Sequence, residues 1–342
     1  MNKIKIAVDA MGGDFAPLND VSGAIIAAEE KPDQLEIILV GKENLIRDEI
    51  LKHKVTLQNL EIVNADEVVT MKDSPTESLK TKPNSSISVG LDLVKQKKAD
   101  AFISAGNTGA VMTASILKLG RIKGVGRPTI GSLFPTDKGK TMVFDVGASV
   151  DCKAVHLLEF AIMGSIFMKN VHNMDNPSIG LLSVGEEKSK GDNLTIETYE
   201  LLEKSGLNFK GNVEGRDVLR GKVDIIVCDG FVGNVILKFA ESVLDVMKSK
   251  FKTYAEKSFF HKIWVGLMYG TLKNVVLKDF DYQEYGGVPL LGVDGVSIIG
   301  HGKSSPIAIK NMIYKAEEMV RKEVNEKIRI ELSNKVKDSA VG

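Results

Sequence analysis

"IKIAVDAMGGDFAP" spans Ile4–Pro17. The run Ile4–Val8 is β-type and ends in Asp9; paired glycines, Gly12 and Gly13, and a second aspartate, Asp14, follow. A strand that breaks into such a turn and then feeds a helix is the repeating unit of a parallel sheet. Two readings of the turn stay open. Paired glycines form turns, and they also let backbone approach an anion closely.

The unit recurs along the chain. A helix near 18–30 is followed by "LEIILV" (35–40), a helix near 42–52 and "LEIV" (60–63). "SSISVGLDLVKQKK" (85–98) reads as a helix capped by Ser85 or Ser86. "AFIS" (101–104) is a strand and "NTGAVMTASILKLG" (107–120) a helix. "PTIGSLFP" (128–135) and "KTMVFDV" (140–146) read as paired strands, and "CKAVHLLEFAIMGSIFMKN" (152–170) as a helix with a broad apolar face. "SIGLLSV" (178–184) and "VDIIVCD" (223–229) are buried-strand runs, "VGNVILKFAESVLDVMKSKF" (232–251) is helical, and a charged helical tail covers 304–336.

This alternation predicts an α/β fold, a three-layer α/β/α sandwich around a largely parallel or mixed sheet. No linker, repeat or low-complexity tract divides residues 1–342, so a single unit is expected. The turns "DAMGGD", "SAGNTGA", "SVGEEKSKGD" and "CDGFVGN" are expected at one sheet edge, where open α/β sheets bind ligands.

Composition excludes several classes. The chain has 342 residues, 43% apolar, and a formal net charge of zero, which is globular and gives no support for a nucleic-acid binder. Cys152 and Cys228 make no disulfide framework and read as reduced cytosolic thiols. The N-terminus lacks the apolar region of a signal peptide. The stretch Ala101–Leu117 lacks charge but is broken by Ser, Asn, Thr and Gly, so it is not a membrane span.

Candidate site residues lie in the turns. Gly106, Asn107, Thr108 and Gly109 open a helix, where backbone amides attract anions or where strand and helix pack closely. "GHGKSSP" (300–306) is similar: Gly302 follows His301, Ser304 or Ser305 can cap, and Pro306 suits a first helical position. His301 is an acid–base candidate or a backbone contact. "GKT" (139–141) is no P-loop, because Phe134 stands where that motif needs glycine. Scattered histidines give no metal motif; Asp9 and Asp14 could in principle hold Mg²⁺, but no metal and no cofactor are expected. No Gly-x-Ser-x-Gly nucleophile occurs, so direct attack by a bound substrate is favoured over a covalent intermediate. Lys188 and Lys190 lie on a glycine-flanked loop, and Asn234 at a helix start; both groups suit an oxyanion.

The stretch 249–278 differs in kind. Phe259, Phe260, Ile263, Trp264, Leu267 and Met268 form one helical stripe beside lysines. Such a helix lies in a membrane interface, packs in a core, or makes a dimer contact.

Six blocks occur in order: "AVDAMGGDFAP", "SAGNTGA", "DVGASVDCKA", "GNVEGRD", "DGFVGNVILK" and "LLGVDGVSIIGHGKSS". Together they resemble the bacterial phosphate acyltransferase (PlsX) family of fatty acid and phospholipid synthesis. The resemblance implies transfer of a long-chain acyl group from acyl carrier protein to inorganic phosphate. A membrane glycerol-3-phosphate acyltransferase would then use the acyl phosphate. It also implies a fold like phosphotransacetylase and isopropylmalate dehydrogenase, a homodimer, and a cytoplasmic protein associated peripherally with the membrane surface.

The family's proposed catalytic pair falls on Lys190, within Gly185–Gly191, and on Asn234. Ser149 and Ser183 stand where the family pattern has asparagine. The glycine turns would then cradle phosphate, with Asp9 and Asp14 orienting donors. Acyl carrier protein is typically acidic, so "LKLGRIKGVGR" (117–127) is either its docking surface or an ordinary solvated turn. Rival readings are a phosphotransacetylase-type enzyme using acyl-coenzyme A and a non-catalytic membrane-docking scaffold.

Overall fold

The structure, a computed structural model, describes residues 2–271 and 286–341, with backbone alone for 267–271 and 335–341. In chain order the strands are β1 (Ile4–Asp9), β2 (Leu35–Gly41), β3 (Leu60–Asn64), β4 (Ala101–Ser104), β5 (Thr129–Thr136), β6 (Gly139–Phe144), β7 (Ile179–Leu182), β8 (Phe209–Val213), β9 (Ile225–Val227), β10 (Val288–Leu291) and β11 (Val296–Ile299). They form one sheet in the order β3-β2-β1-β4-β11-β10-β5-β6-β9-β7-β8.

Residues of each strand alternate between two cores. Ile6, Val8, Ile37, Leu39, Ile103 and Phe144 enter one, and Ala7, Ile38, Val40, Phe102 and Val143 the other. That two-sided burial follows from near-continuous apolar runs with a side-chain period of two. Helices α1 (Leu18–Glu30), α6 (Ala154–Val171) and α10 (Pro306–Arg321) cover the first face. Helices α4 (Ser86–Lys95) and α5 (Thr108–Leu119) cover the second. The three-layer α/β/α fold is therefore present. Helix α6 is long and apolar enough to cross a membrane, but 61% of it is buried in this core.

Most expected elements stand within two residues of their ranges. The remaining helices are α2 (Glu43–His53), α3 (Pro75–Thr81), α7 (Asn193–Glu203), α8 (Gly230–Ala255), α9 (Phe259–Thr271) and α11 (Val324–Val341). The C-terminal tail is two helices, α10 and α11, because Glu323 takes a left-handed φ of 51° between them.

One expectation is corrected. The glycine turns do not share one sheet edge. The pairings β11–β10, β10–β5 and β5–β6 are antiparallel, and the others are parallel. An odd number of reversals inverts chain direction between the two halves. The turns after β1, β4 and β11 therefore sit at one edge, and those after β6, β7 and β9 at the other. The nearest strands of the two groups, β11 and β6, are three strand spacings apart, on the order of 14 Å.

Candidate active site

The first turn group gathers the turns after β1, β4 and β11. Ser104 Oγ donates to Asp9 Oδ2 at 2.6 Å, and the Gly106 amide donates to Ser104 Oγ at 3.0 Å. The Met11 amide reaches Asp9 Oδ1 at 3.0 Å, and the Asp14 amide reaches the Gly302 carbonyl at 2.7 Å. A Cβ on Gly12 would stand 2.5 Å from Asp9 Oδ2 and 2.8 Å from the Gly106 nitrogen. Only glycine lets these two turns meet.

Several expected ligand residues also make structural contacts here. Asn107 accepts the Ala110 amide and donates to the carbonyls of Thr70 and Asp73, so its side chain caps α5 and ties down a neighbouring loop. Thr108 and Gly109 form the first turn of that helix. Ser304 is buried and donates to the His301 carbonyl at 2.6 Å; Ser305 is the residue that caps α10. His301 is exposed, and its Nδ1 accepts the Lys303 amide. The floor is acidic: burial pushes the Asp9 carboxyl up, and Asp20 is raised well above its usual range by burial and then by Asp9.

The second turn group uses the same device. Asp145, just past β6, accepts the amides of Ile130, Gly147, Ala148 and Ser149 at 2.7–3.3 Å. Burial nevertheless lifts its carboxyl to about 6. The Ser149 carbonyl accepts the Gly230 amide at 2.8 Å, which seats the start of α8. A Cβ on Gly233 would stand 1.9 Å from the Asp145 carbonyl oxygen, so α8 packs against the turn with no room for a side chain. Asp229 caps α8 by accepting the amides of Phe231 and Val232.

Lys190 and Asn234 both belong to this group, because β7 and β9 are adjacent strands. Both are exposed. Ser183 Oγ donates to the Lys190 carbonyl at 3.0 Å and closes the loop on itself. Lys188 is held by Glu203 at 2.6 Å, whereas the Lys190 ammonium makes no ion pair among the described residues. Asn234 faces the Gly147 turn, its Cβ and Cγ 3.6 Å from where a Cβ on Gly147 would be. A cavity of about 360 Å³ opens beside them, lined by Leu157, Leu182, Leu194, Val232, Ile236 and Cys228 among others.

Comparison with known proteins decides the family. A family model described as "Fatty acid synthesis protein" matches residues 4–327. A phosphate acyltransferase of Chlorobaculum parvum is 46% identical, covering 97% of this chain and all of its own. Another, of Pelobacter propionicus, is 47% identical over 96% of this chain and 94% of its own. This chain belongs to the phosphate acyltransferase family. Among solved structures, a phosphotransacetylase from Streptococcus pyogenes superimposes with a TM-score of 0.64 at 17% identity, covering 93% of this chain and 94% of its own, which shows the shared fold.

As a phosphate acyltransferase the chain is an acyl-transferring enzyme, and its thiols are not poised to be the nucleophile. Burial pushes Cys152 up to about 11 and Cys228 well above the usual thiol range. Among the described residues no three His, Cys, Asp or Glu side chains group as metal ligands. Asp145 and Asp20 were not singled out from the sequence. The signal for Asp145 is its likeness to Asp9: an aspartate at a strand end, before a glycine-rich turn.

The acyltransferase's arm is also clear. Only the first turns of α8 pack on the sheet; along the helix only Gly230 and Gly233 are buried. Phe259, Phe260 and Trp264 of α9 are 74%, 77% and 66% exposed, so they pack in no core formed by the described residues. The side chains of Leu267 and Met268, and residues 272–278, lie outside the described residues.

Proposed function

We propose that this acyltransferase moves a long-chain acyl group from acyl carrier protein to inorganic phosphate, releasing acyl phosphate. The observation that carries the reading is the full-length identity with phosphate acyltransferases. A phosphate oxygen attacks the thioester carbonyl directly, and the thiol of the carrier leaves. Lys190 offsets charge on phosphate or on the tetrahedral oxyanion, and Asn234 donates to that oxyanion. The glycine turns at Gly12–Gly13, Gly106–Gly109 and His301–Ser304 hold another part of the substrate by close backbone approach. The raised thiol values, and a Lys190 ammonium in no ion pair among the described residues, support this assignment over a covalent enzyme intermediate.

The arm supports a membrane role and a homodimer. Val235, Phe239, Val243 and Val246 form an exposed stripe along α8, suited to a second copy. Phe259, Phe260, Ile263 and Trp264 rest the α9 tip on the membrane surface, where a cytoplasmic enzyme passes acyl phosphate to a membrane glycerol-3-phosphate acyltransferase. Incubation with palmitoyl-acyl carrier protein and phosphate should yield acyl phosphate, faster than with palmitoyl-coenzyme A. Absence of product from both thioesters would sink the assignment. Trp264→Glu should lower vesicle flotation while activity in solution persists; unchanged flotation would assign the stripe to a protein contact.

A further inference from the structure

The basic loop Leu117–Arg127 is pinned against the second turn group. The amides of Gly126 and Arg127 donate to Glu159 Oε2 of α6 at 2.8 and 3.4 Å. Ser149 Oγ donates to the Pro128 carbonyl at 3.4 Å, and the same Ser149 seats Gly230 at the start of α8. The loop therefore borders the turn that Asn234 faces, at the same sheet edge as Lys190 and far from Gly12.

That rim is cationic. Arg121, Lys123, Arg127 and Lys153 are exposed, and none makes an ion pair among the described residues. Lys118 is the exception, held by Asp92 at 2.6 Å. Burial first, then Arg127, Lys153 and Arg121, holds the His156 imidazole below its usual value. Few carboxylates oppose them. Glu159 is buried and engaged by two amides, Asp294 is paired with Arg329, and Asp151 stands at the edge. Two exposed apolar side chains, Val150 and Val155, flank Lys153. The first turn of α6 starts at Ala154 with no side-chain cap, adding the positive end of a helix.

We propose that Arg121, Arg127 and Lys153, around the apolar pair Val150 and Val155, form the docking surface for the acidic carrier protein that delivers the thioester. This rests on the function proposed above and gives it a place on the molecule. Cations outside any ion pair among the described residues steer an acidic protein at long range, even though Arg121 also donates to the Gly126 carbonyl, and the apolar centre is covered on contact. The surface adjoins the turn that holds Asn234, so a docked carrier has a short reach for its thioester arm. The bound phosphate needs no part of it.

The test separates docking from chemistry. Arg127→Glu/Lys153→Glu should lower kcat/KM for the carrier-bound thioester by about 10–100-fold, with kcat at saturation little changed. On a neutral N-acetylcysteamine thioester of the same acyl group the variant should match wild type. Wild-type kcat/KM for the carrier should fall with added salt, and the variant should lose that dependence. Equal losses on both thioesters, or no loss on the carrier, overturns the proposal. Should the reversal impair folding, Arg127→Gln/Lys153→Gln gives the same split at smaller amplitude. Direct titration with the carrier protein distinguishes the two claims. Binding to wild type that the variant loses supports the surface even without turnover. Equal binding by the two overturns it whatever the turnover.

Discussion

The two turn groups are built alike and surrounded differently. In each, a buried aspartate at a strand end catches amides of its own turn, and a glycine elsewhere in the group presses onto it: Gly12 onto Asp9, Gly230 onto Asp145. The first group is walled by further carboxylates, Asp14, Asp20 and Asp73, and Asp73 is already paired with Lys82. The second is rimmed by Lys190, Arg127 and Lys153, none of them in an ion pair among the described residues. The shared device makes rigid turns. The charge around it fits the roles proposed above: Lys190 at the second group would offset a developing negative charge, a task we assign to no residue of the first. The first offers close backbone approach.

The largest effect should come from the shared device itself. Gly233→Ala drives a methyl group into the Asp145 carbonyl, and Gly12→Ala drives one into Asp9 and the Gly106 backbone. Each should cost several kcal/mol, about 3 or more, with Gly233→Ala the worse. Chemical denaturation measures both, and a loss under about 1 kcal/mol at either would mean that the turn relaxes freely. Next comes the contrast in charge. Lys190→Ala should lower turnover by about 10²–10³-fold in a folded protein, whereas Lys303→Ala in the first group should stay within about twofold. Similar losses for the two lysines would erase the distinction between the groups.

Much of this was legible in the sequence, and the illegible part has a physical cause. Long apolar runs such as Leu35–Gly41 and Ile4–Asp9 announce strands, and Asp9 with Gly12–Gly13 announces a tight turn. The edge to which each turn goes was not legible. It depends on β10, four residues long, pairing with β5 across more than a hundred intervening positions, and no local pattern records that. Asp145 is hidden for a related reason: it ends an apolar run and reads as strand, while one of its amide donors, Ile130, comes from the neighbouring strand β5. At Asn107 and Ser304 a sequence cannot separate a structural contact from an anion-binding role, because caps and anion-binding groups use the same residue types in the same places.

The smallest expected effect is a difference in slope. The Asp145 carboxyl sits at about 6 in the folded protein because burial outweighs its four amide donors. An unfolded aspartate titrates near 3.9. Between those values the folded protein holds a proton that the unfolded chain releases, so this group's contribution to stability falls as pH rises from about 4 to about 6 and is level above that. Asp145→Asn removes the titration, so its stability should vary less than wild type across that window, whatever its absolute level. Asp9→Asn tests the other group in the same way, and its carboxyl shifts in the same direction. The first group keeps a second acid, Asp20, whose two oxygens have no hydrogen-bond partner among the described residues and whose carboxyl is raised by burial and then by Asp9. Removing the Asp9 charge should therefore ease Asp20 as well, and a double variant, Asp9→Asn/Asp20→Asn, should change the slope by less than the sum of the singles. Additive slopes would mean that the two buried acids do not sense each other, and the acidic floor that separates the first group from the second would lose its physical basis.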